Sequence, residues 1–175
     1  MTQFEIEHAE SRTDSSRDQY GKFILHPLHP GQGITLGNAL RRVLLSDLEG
    51  SAIVSVRISG VNHEFSTIVG VREDVLEILL NLKEIVLKNH RRTQGVGRIK
   101  VQGPCIVTAA NLDLPPEIEI IDPKQYIATI CNNTILEMEV KIDIGRGYQL
   151  AEKCNDDISS NFLQVDAVFM PVRRV

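Results

Sequence analysis

Gly31-Gln32-Gly33-Ile34-Thr35-Leu36-Gly37-Asn38-Ala39-Leu40-Arg41-Arg42-Val43-Leu44-Leu45-Ser46-Asp47-Leu48 decides how the chain is read. A glycine-rich turn runs into about four turns of helix-forming residues, and Gly50 closes the helix. At 3.6 residues per turn, Leu36, Leu40, Val43, Leu44 and Leu48 fall on one broad face. Nearly opposite stand Asn38, Arg42 and Leu45, with Arg41 at the boundary. A leucine, a planar guanidinium and an amide on the outer side are the composition of a protein–protein contact. The pattern predicts a helix that buries its first face within its own fold and offers the second to another chain. A core helix with a routine basic outer face has the same spacing, and composition does not separate the two.

On the amino-terminal side, residues 3–9 alternate as a strand, residues 10–19 form a polar loop and residues 20–28 predict a second strand ended by His26-Pro27-Leu28-His29-Pro30. Beyond the helix, residues 51–61 predict a strand, and Gly60-Val61-Asn62 turns into a short one over residues 63–67. Residues 71–88 predict a second, unusually apolar helix. Val71, Val75, Ile78, Leu79, Leu82, Ile85 and Val86 form its main stripe, with Leu76, Leu80 and Leu87 beside it. Glu73 and Asp74 fall in its first turn, where the helix dipole favours acids. So narrow a polar strip predicts cover on two sides. After a basic loop, 90–97, strands are expected over 98–101, 105–109, 117–121, 126–130, 135–144 and 162–169, separated by Gly, Pro and Asn turn residues. The cleanest, 135–144, places Leu136, Met138, Val140 and Ile142 opposite Glu137, Glu139, Lys141 and Asp143.

With 42% hydrophobic and 24% charged residues, the 175-residue chain has a globular balance and length for one ample core or two small ones. A net charge of −4 argues against the whole chain being a nucleic-acid binder. Cys105, Cys131 and Cys154 are widely spaced and include no C-x-x-C pair, so neither a zinc site nor a disulfide framework is indicated. No apolar run reaches transmembrane length and no signal-peptide core opens the chain; a reducing, cytoplasm-like compartment is expected.

Gly31-x-Gly33-x-x-x-Gly37 opens a helix, so a small phosphate- or nucleotide-binding enzyme is the alternative reading. The spacing departs from G-x-G-x-x-G and lacks Gly-Lys-Ser/Thr, which favours steric roles for these glycines. His26 and His29 flank prolines without carboxylate or cysteine companions, and Glu137 and Glu139 share a strand face with Lys141 as on a solvated sheet. The sequence therefore predicts no catalytic residue, no metal and no cofactor. Its positive signals are two helices with surplus apolar surface, the Arg41-Arg42 pair, and Gly145-Arg146-Gly147-Tyr148, an aromatic–arginine turn.

Asn38-Ala39-Leu40-Arg41-Arg42-Val43-Leu44-Leu45-Ser46 resembles the corresponding helix of the α-subunit family of bacterial-type DNA-directed RNA polymerases. So do Gly60-Val61-Asn62-His63-Glu64-Phe65-Ser66-Thr67, residues 71–83, Gly145-Arg146-Gly147-Tyr148 and Val165-Asp166-Ala167, in the right order over essentially the whole chain. Ile68-Val69-Gly70, residues 117–126 and Phe169-Met170-Pro171-Val172 look most like cyanobacterial or chloroplast members. The resemblance implies an α+β amino-terminal domain in two parts. Residues 1–49 and 162–175 would form a dimerisation subdomain, incomplete at its carboxy-terminus, and residues 50–161 an inserted, mainly β subdomain. It implies a non-catalytic subunit that forms a homodimer and scaffolds the β and β′ catalytic subunits, nucleotidyl transfer belonging to the whole complex.

By that resemblance Leu36, Leu40, Val43 and Leu44 would pack in the subdomain and at the dimer seam. Asn38, Arg41, Arg42, Leu45 and Arg146 would meet a large subunit. His63, Glu64, Phe65, Ser66, Thr67, Asp74, Asn81 and Lys83 would extend that contact to the β-type subunit, and Val165, Asp166, Pro171 and Val172 would face the β′-type. Family members continue past a Pro-Val-x-x-Val segment with a strand, a helix and usually a linker and DNA-binding domain. This chain stops at Val175, so it resembles a truncated member, and no direct DNA or membrane contact is expected from this portion. The implied compartment is a cyanobacterial cytoplasm or the plastid stroma.

Overall fold

A computed structural model of the chain describes residues 4–15, 17–151 and 161–175. Gln3 of the expected first strand, Cys154, and residues 152–160 of the expected inserted part lie outside the described residues. The elements, in chain order, are β1 (Glu5–Thr13), β2 (Gln19–His26), α1 (Gln32–Ser46), β3 (Glu49–Ile58), α2 (Val75–Lys83), β4 (Leu87–Asn89) and β5 (Gly95–Gln102). There follow β6 (Cys105–Thr108), β7 (Ile118–Ile120), β8 (Tyr126–Ile130), β9 (Ile135–Arg146), β10 (Tyr148–Gln149), β11 (Leu163–Gln164) and β12 (Ala167–Val168). The chain is mostly β with two α-helices, a narrower result than the two-part α+β expectation.

β3 and β9 form the centre of a six-stranded antiparallel sheet ordered β5-β9-β3-β4-β7, with β11 also paired to β3. The alternation expected over 135–144 holds: Leu136, Met138, Val140 and Ile142 are buried. They meet Val56, Ile58, Ile99 and the α2 residues Val75, Ile78, Leu79 and Leu82 in one core. On β3 the same core takes Ile53 and then Val56, three positions on, and a register shift between Ile53 and Ser55 makes room for that phase change. Ala52 and Val54 consequently point to the opposite face, where they pack with Ala167 and Phe169. β3 is thus buried on both sides.

Several expectations need correction. β1 continues to Thr13 through residues read as loop, paired from Glu5↔His26 to Thr13↔Gln19. With both faces of the hairpin largely exposed, no alternation marks residues 10–13. His26 ends β2, and pairing brings its Nε2 3.9 Å from the Glu7 carboxylate, a companion that the sequence did not show. Residues 63–67 form a turn instead of a strand; the Ser66 hydroxyl donates to the His63 carbonyl at 2.6 Å, and only Thr67 bridges, to Asp74.

The second helix is half its expected length. Val71 bridges to Ile130, and Arg72 N–H donates to the Thr129 carbonyl at 3.0 Å, so the chain is extended there. Asp74 is the helix N-cap, Glu73 precedes it, and Leu87 opens β4. Apolar residues from three elements on one core imitate a single helical stripe, which periodicity alone does not resolve. Finally, the expected strand 162–169 is two short pieces, and α1 ends at Ser46 with Asp47 as its cap. Gly50, expected to close that helix, lies within β3.

Candidate functional site

α1 begins at Gly31, whose φ of 88° is the left-handed conformation that glycine adopts without penalty, the steric role its sequence predicts. Gln32 then fixes the entry: its side-chain carbonyl accepts the His29 N–H at 3.0 Å. None of the fifteen residues of α1 is buried. Leu40 is 52% and Val43 47% exposed, Leu36 is exposed too, and Leu44 is half-buried. The expectation that this face is covered by the chain's own fold is therefore wrong among the described residues. The stripe is real, but no described element lies across it. On the other side Asn38, Arg41 and Arg42 are exposed and Leu45 is half-buried, so the Arg42 guanidinium is free of its own interior. The hairpin alongside leaves Ile6, Phe23 and Ile24 uncovered as well.

A second cluster surrounds the turn before α2. Phe65 is 77% exposed, His63 and Thr67 are exposed, and Glu64 and Ser66 are half-buried. Leu76 and Leu80, on the outer side of α2, add apolar surface next to exposed Asp74. Asn81 is held rather than free: its amide donates to the Ile127 carbonyl at 2.9 Å. The turn is tethered from below by Glu73, which is 2% exposed. Its carboxylate accepts Arg72 Nε at 2.9 Å, Thr129 N–H at 2.6 Å and the Tyr126 hydroxyl. Sequence reasoning missed this role. An acid at a helix start carries no mark of a tyrosine 53 positions downstream.

The third cluster joins residues that the sequence had placed in separate segments. Lys83 Nζ donates to the Tyr148 hydroxyl at 3.2 Å and lies 3.3 Å from Asp166, over the Tyr148 ring. The Tyr148 hydroxyl donates to Asp166 Oδ2 at 2.6 Å, and Ala151 N–H to Oδ1 at 2.9 Å. The Tyr148 hydrogen bond is the chief reason the Asp166 carboxyl lies below its ordinary value, with the Ala151 N–H next. Burial pulls the Lys83 ammonium down, but Tyr148 and Asp166 outweigh it and leave it raised. Tyr148→Phe is therefore expected to lift the Asp166 pKa toward the usual carboxylate range, read by carboxyl-carbon NMR titration. Its stability cost should be at most about 1 kcal/mol at this partly exposed site.

Arg146 is exposed and pairs with Glu49 at 2.7 Å, which Arg92 also approaches at 3.0 Å. At the carboxy-terminal segment, Asp166 and Val172 are half-buried and Pro171 is exposed. Val165 is 5% exposed and donates its N–H to Val54, so it belongs to the core and presents nothing to a neighbour. The arrangement offers three partly apolar faces framed by arginines and hydrogen-bonded turns, a chemistry of docking.

The sequence profile described as the RNA polymerase Rpb3/RpoA insert domain matches residues 56–170. The DNA-directed RNA polymerase subunit alpha of Rhodomonas salina is 67% identical over 175 residues, covering 100% of this chain and 56% of that protein. The subunits of the same name from Cyanophora paradoxa, at 62% identity, and Trichodesmium erythraeum (strain IMS101), at 60%, match over the same shares of both chains. The chain spans a little over half the length of the curated relatives it matches.

Proposed function

This chain belongs to the Rpb3/RpoA family of RNA polymerase subunits, and on that premise we propose that it is a non-catalytic assembly subunit of a DNA-directed RNA polymerase. The observation that carries the reading is α1, an amphipathic helix of fifteen residues with none of them buried. A helix of that length is marginal alone, and its stability comes from covering the apolar face. Leu36, Leu40, Val43 and Leu44 supply a self-complementary surface for a second copy. Asn38, Arg41, Arg42 and Leu45 then remain for a large catalytic subunit.

The turn at 63–67, with Phe65, and the Asp74–Lys83 side of α2 extend the large-subunit contact to the β-type partner. Asp166, Pro171 and Val172 serve the β′-type partner, and Arg146 flanks it. The two-part organisation, residues 1–49 with 162–175 around an inserted 50–161, draws its support from the insert-domain match, which leaves the amino-terminal 55 residues outside it. The sources of the relatives support a cyanobacterial cytoplasm or plastid stroma as its compartment.

Arg42→Ala tests the reading. An interfacial arginine contributes about 2 kcal/mol, roughly thirtyfold in affinity. Co-purification of the large subunits is expected to fall by that order while circular dichroism and melting temperature stay unchanged. Undiminished co-purification would remove Arg42 from the interface.

A further inference from the structure

The turn between β1 and β2 reaches the far end of α2 through one side chain. Arg17 Nη2 donates to the Glu84 carbonyl at 2.7 Å and Nη1 to Gln125 Oε1 at 2.8 Å, with the Asp122 carboxylate 3.9 Å away. Glu84 is the C-cap of α2. The last carbonyls of a helix lack intrahelical partners and carry its partial negative charge, so a guanidinium there satisfies both needs. Gln125 is turned toward Arg17 because its amide is spent on Glu84 Oε2 at 3.1 Å. The turn is itself shaped for this: Asp14 N–H and Ser15 N–H both donate to the Asp18 carbonyl.

Among the described residues, the other side-chain ion pairs and hydrogen bonds of the hairpin stay inside it, as with Glu10–Arg12, Glu7–His26 and Ser15–Asp18. Apart from half-buried Leu25, its large apolar residues are exposed rather than docked. We propose that Arg17 is a latch, the positioning residue that sets the orientation of the β1–β2 hairpin against α2. The next residue inward, Lys83, is gripped by Tyr148 and Asp166. Two consecutive residues at one helix end are thus held by the two termini of the chain. On the assembly reading above, from which this consequence follows, Arg17 fixes how the hairpin sits against the α2 part of the large-subunit contact.

Hydrogen exchange on the full chain tests the latch without reference to assembly. In Arg17→Ala the amides of β1 and β2 are expected to exchange about tenfold faster, with β3 and β9 unchanged. Arg17→Lys, a point charge in place of a two-pronged fork, should recover only part of the protection. Unchanged hairpin exchange, or equal acceleration in β3 and β9, overturns the latch. Capture of the large subunits by Arg17→Ala tests the coupling: several-fold weakening supports it, and undiminished capture with a loosened hairpin overturns it. Loss of capture in Arg17→Ala but not in Arg42→Ala would count against the assigned role of Arg42 and leave the latch standing.

Discussion

Replacing Glu73 by alanine is expected to cost the fold about 3 kcal/mol, measured as a lowered urea midpoint at neutral pH. The carboxylate is nearly inaccessible and accepts three donors from two segments: Arg72 beside it, and Tyr126 and the Thr129 N–H across on β8. Alanine orphans the part-buried Thr129 N–H, and Tyr126 keeps the Thr129 hydroxyl at 2.6 Å and Arg72 Nη2 at 3.0 Å. Removing one side of such a set costs the desolvation of what is left behind. The effect should reach the turn at 63–67 as well, because residues 71–74 tie that turn to β8.

The same group sets an acid limit. Burial alone would raise the Glu73 carboxyl, but the hydrogen bonds from Tyr126, Thr129 N–H and Arg72 outweigh it and hold the group below its ordinary 4.5. A carboxyl depressed by folding contributes stability that is complete above the unfolded value. That stability is lost as pH falls through the folded value. Glu73→Gln, which cannot titrate, should therefore be less stable at neutral pH yet show a flatter stability curve below about pH 4.5.

Gly50→Ala should be comparably damaging, by about 3 kcal/mol or roughly 10 °C in melting temperature. A Cβ at position 50 would sit 1.9 Å from the Phe169 carbonyl oxygen and 2.8 Å from its carbon. Both are backbone atoms, so no rotamer change relieves the clash; β3 and the segment after β12 must separate. Phe169 is buried in that seam, and its N–H donates to the Gly147 carbonyl at 2.9 Å. The internal contrast is Gly37→Ala. That helical position meets nothing within 4 Å, so the free chain should be unaffected or gain up to about 1 kcal/mol of helix propensity.

What the sequence disclosed and what it hid follow from one distinction. Strand 135–144 was legible because one of its faces is buried and the other wet, which imposes strict alternation. α1 was legible from its apolar stripe at a helical period, although that side finds no cover among the described residues. Residues 10–13 were lost because both hairpin faces are exposed, and 71–74 and 87–89 because Val71 and Leu87 pack on the α2 core and continue its apolar stripe. The residues proposed for docking on α1 stand out in the sequence as a leucine, arginine and amide composition, and those at 63–67 only through the family resemblance. Glu73, Arg17 and the Lys83–Tyr148–Asp166 cluster draw on partners 18 to 108 positions away. Only the fold supplies those pairs.

The central claim is that the two sides of α1 face different chains. Benzoylphenylalanine placed at position 40 or at position 45 in the assembled polymerase, followed by irradiation, tests it most directly. Position 40 is predicted to give an adduct with a second copy of this subunit, and position 45 an adduct with a large catalytic subunit. The same partner from both positions, or adducts confined to a single copy of the chain, would contradict it.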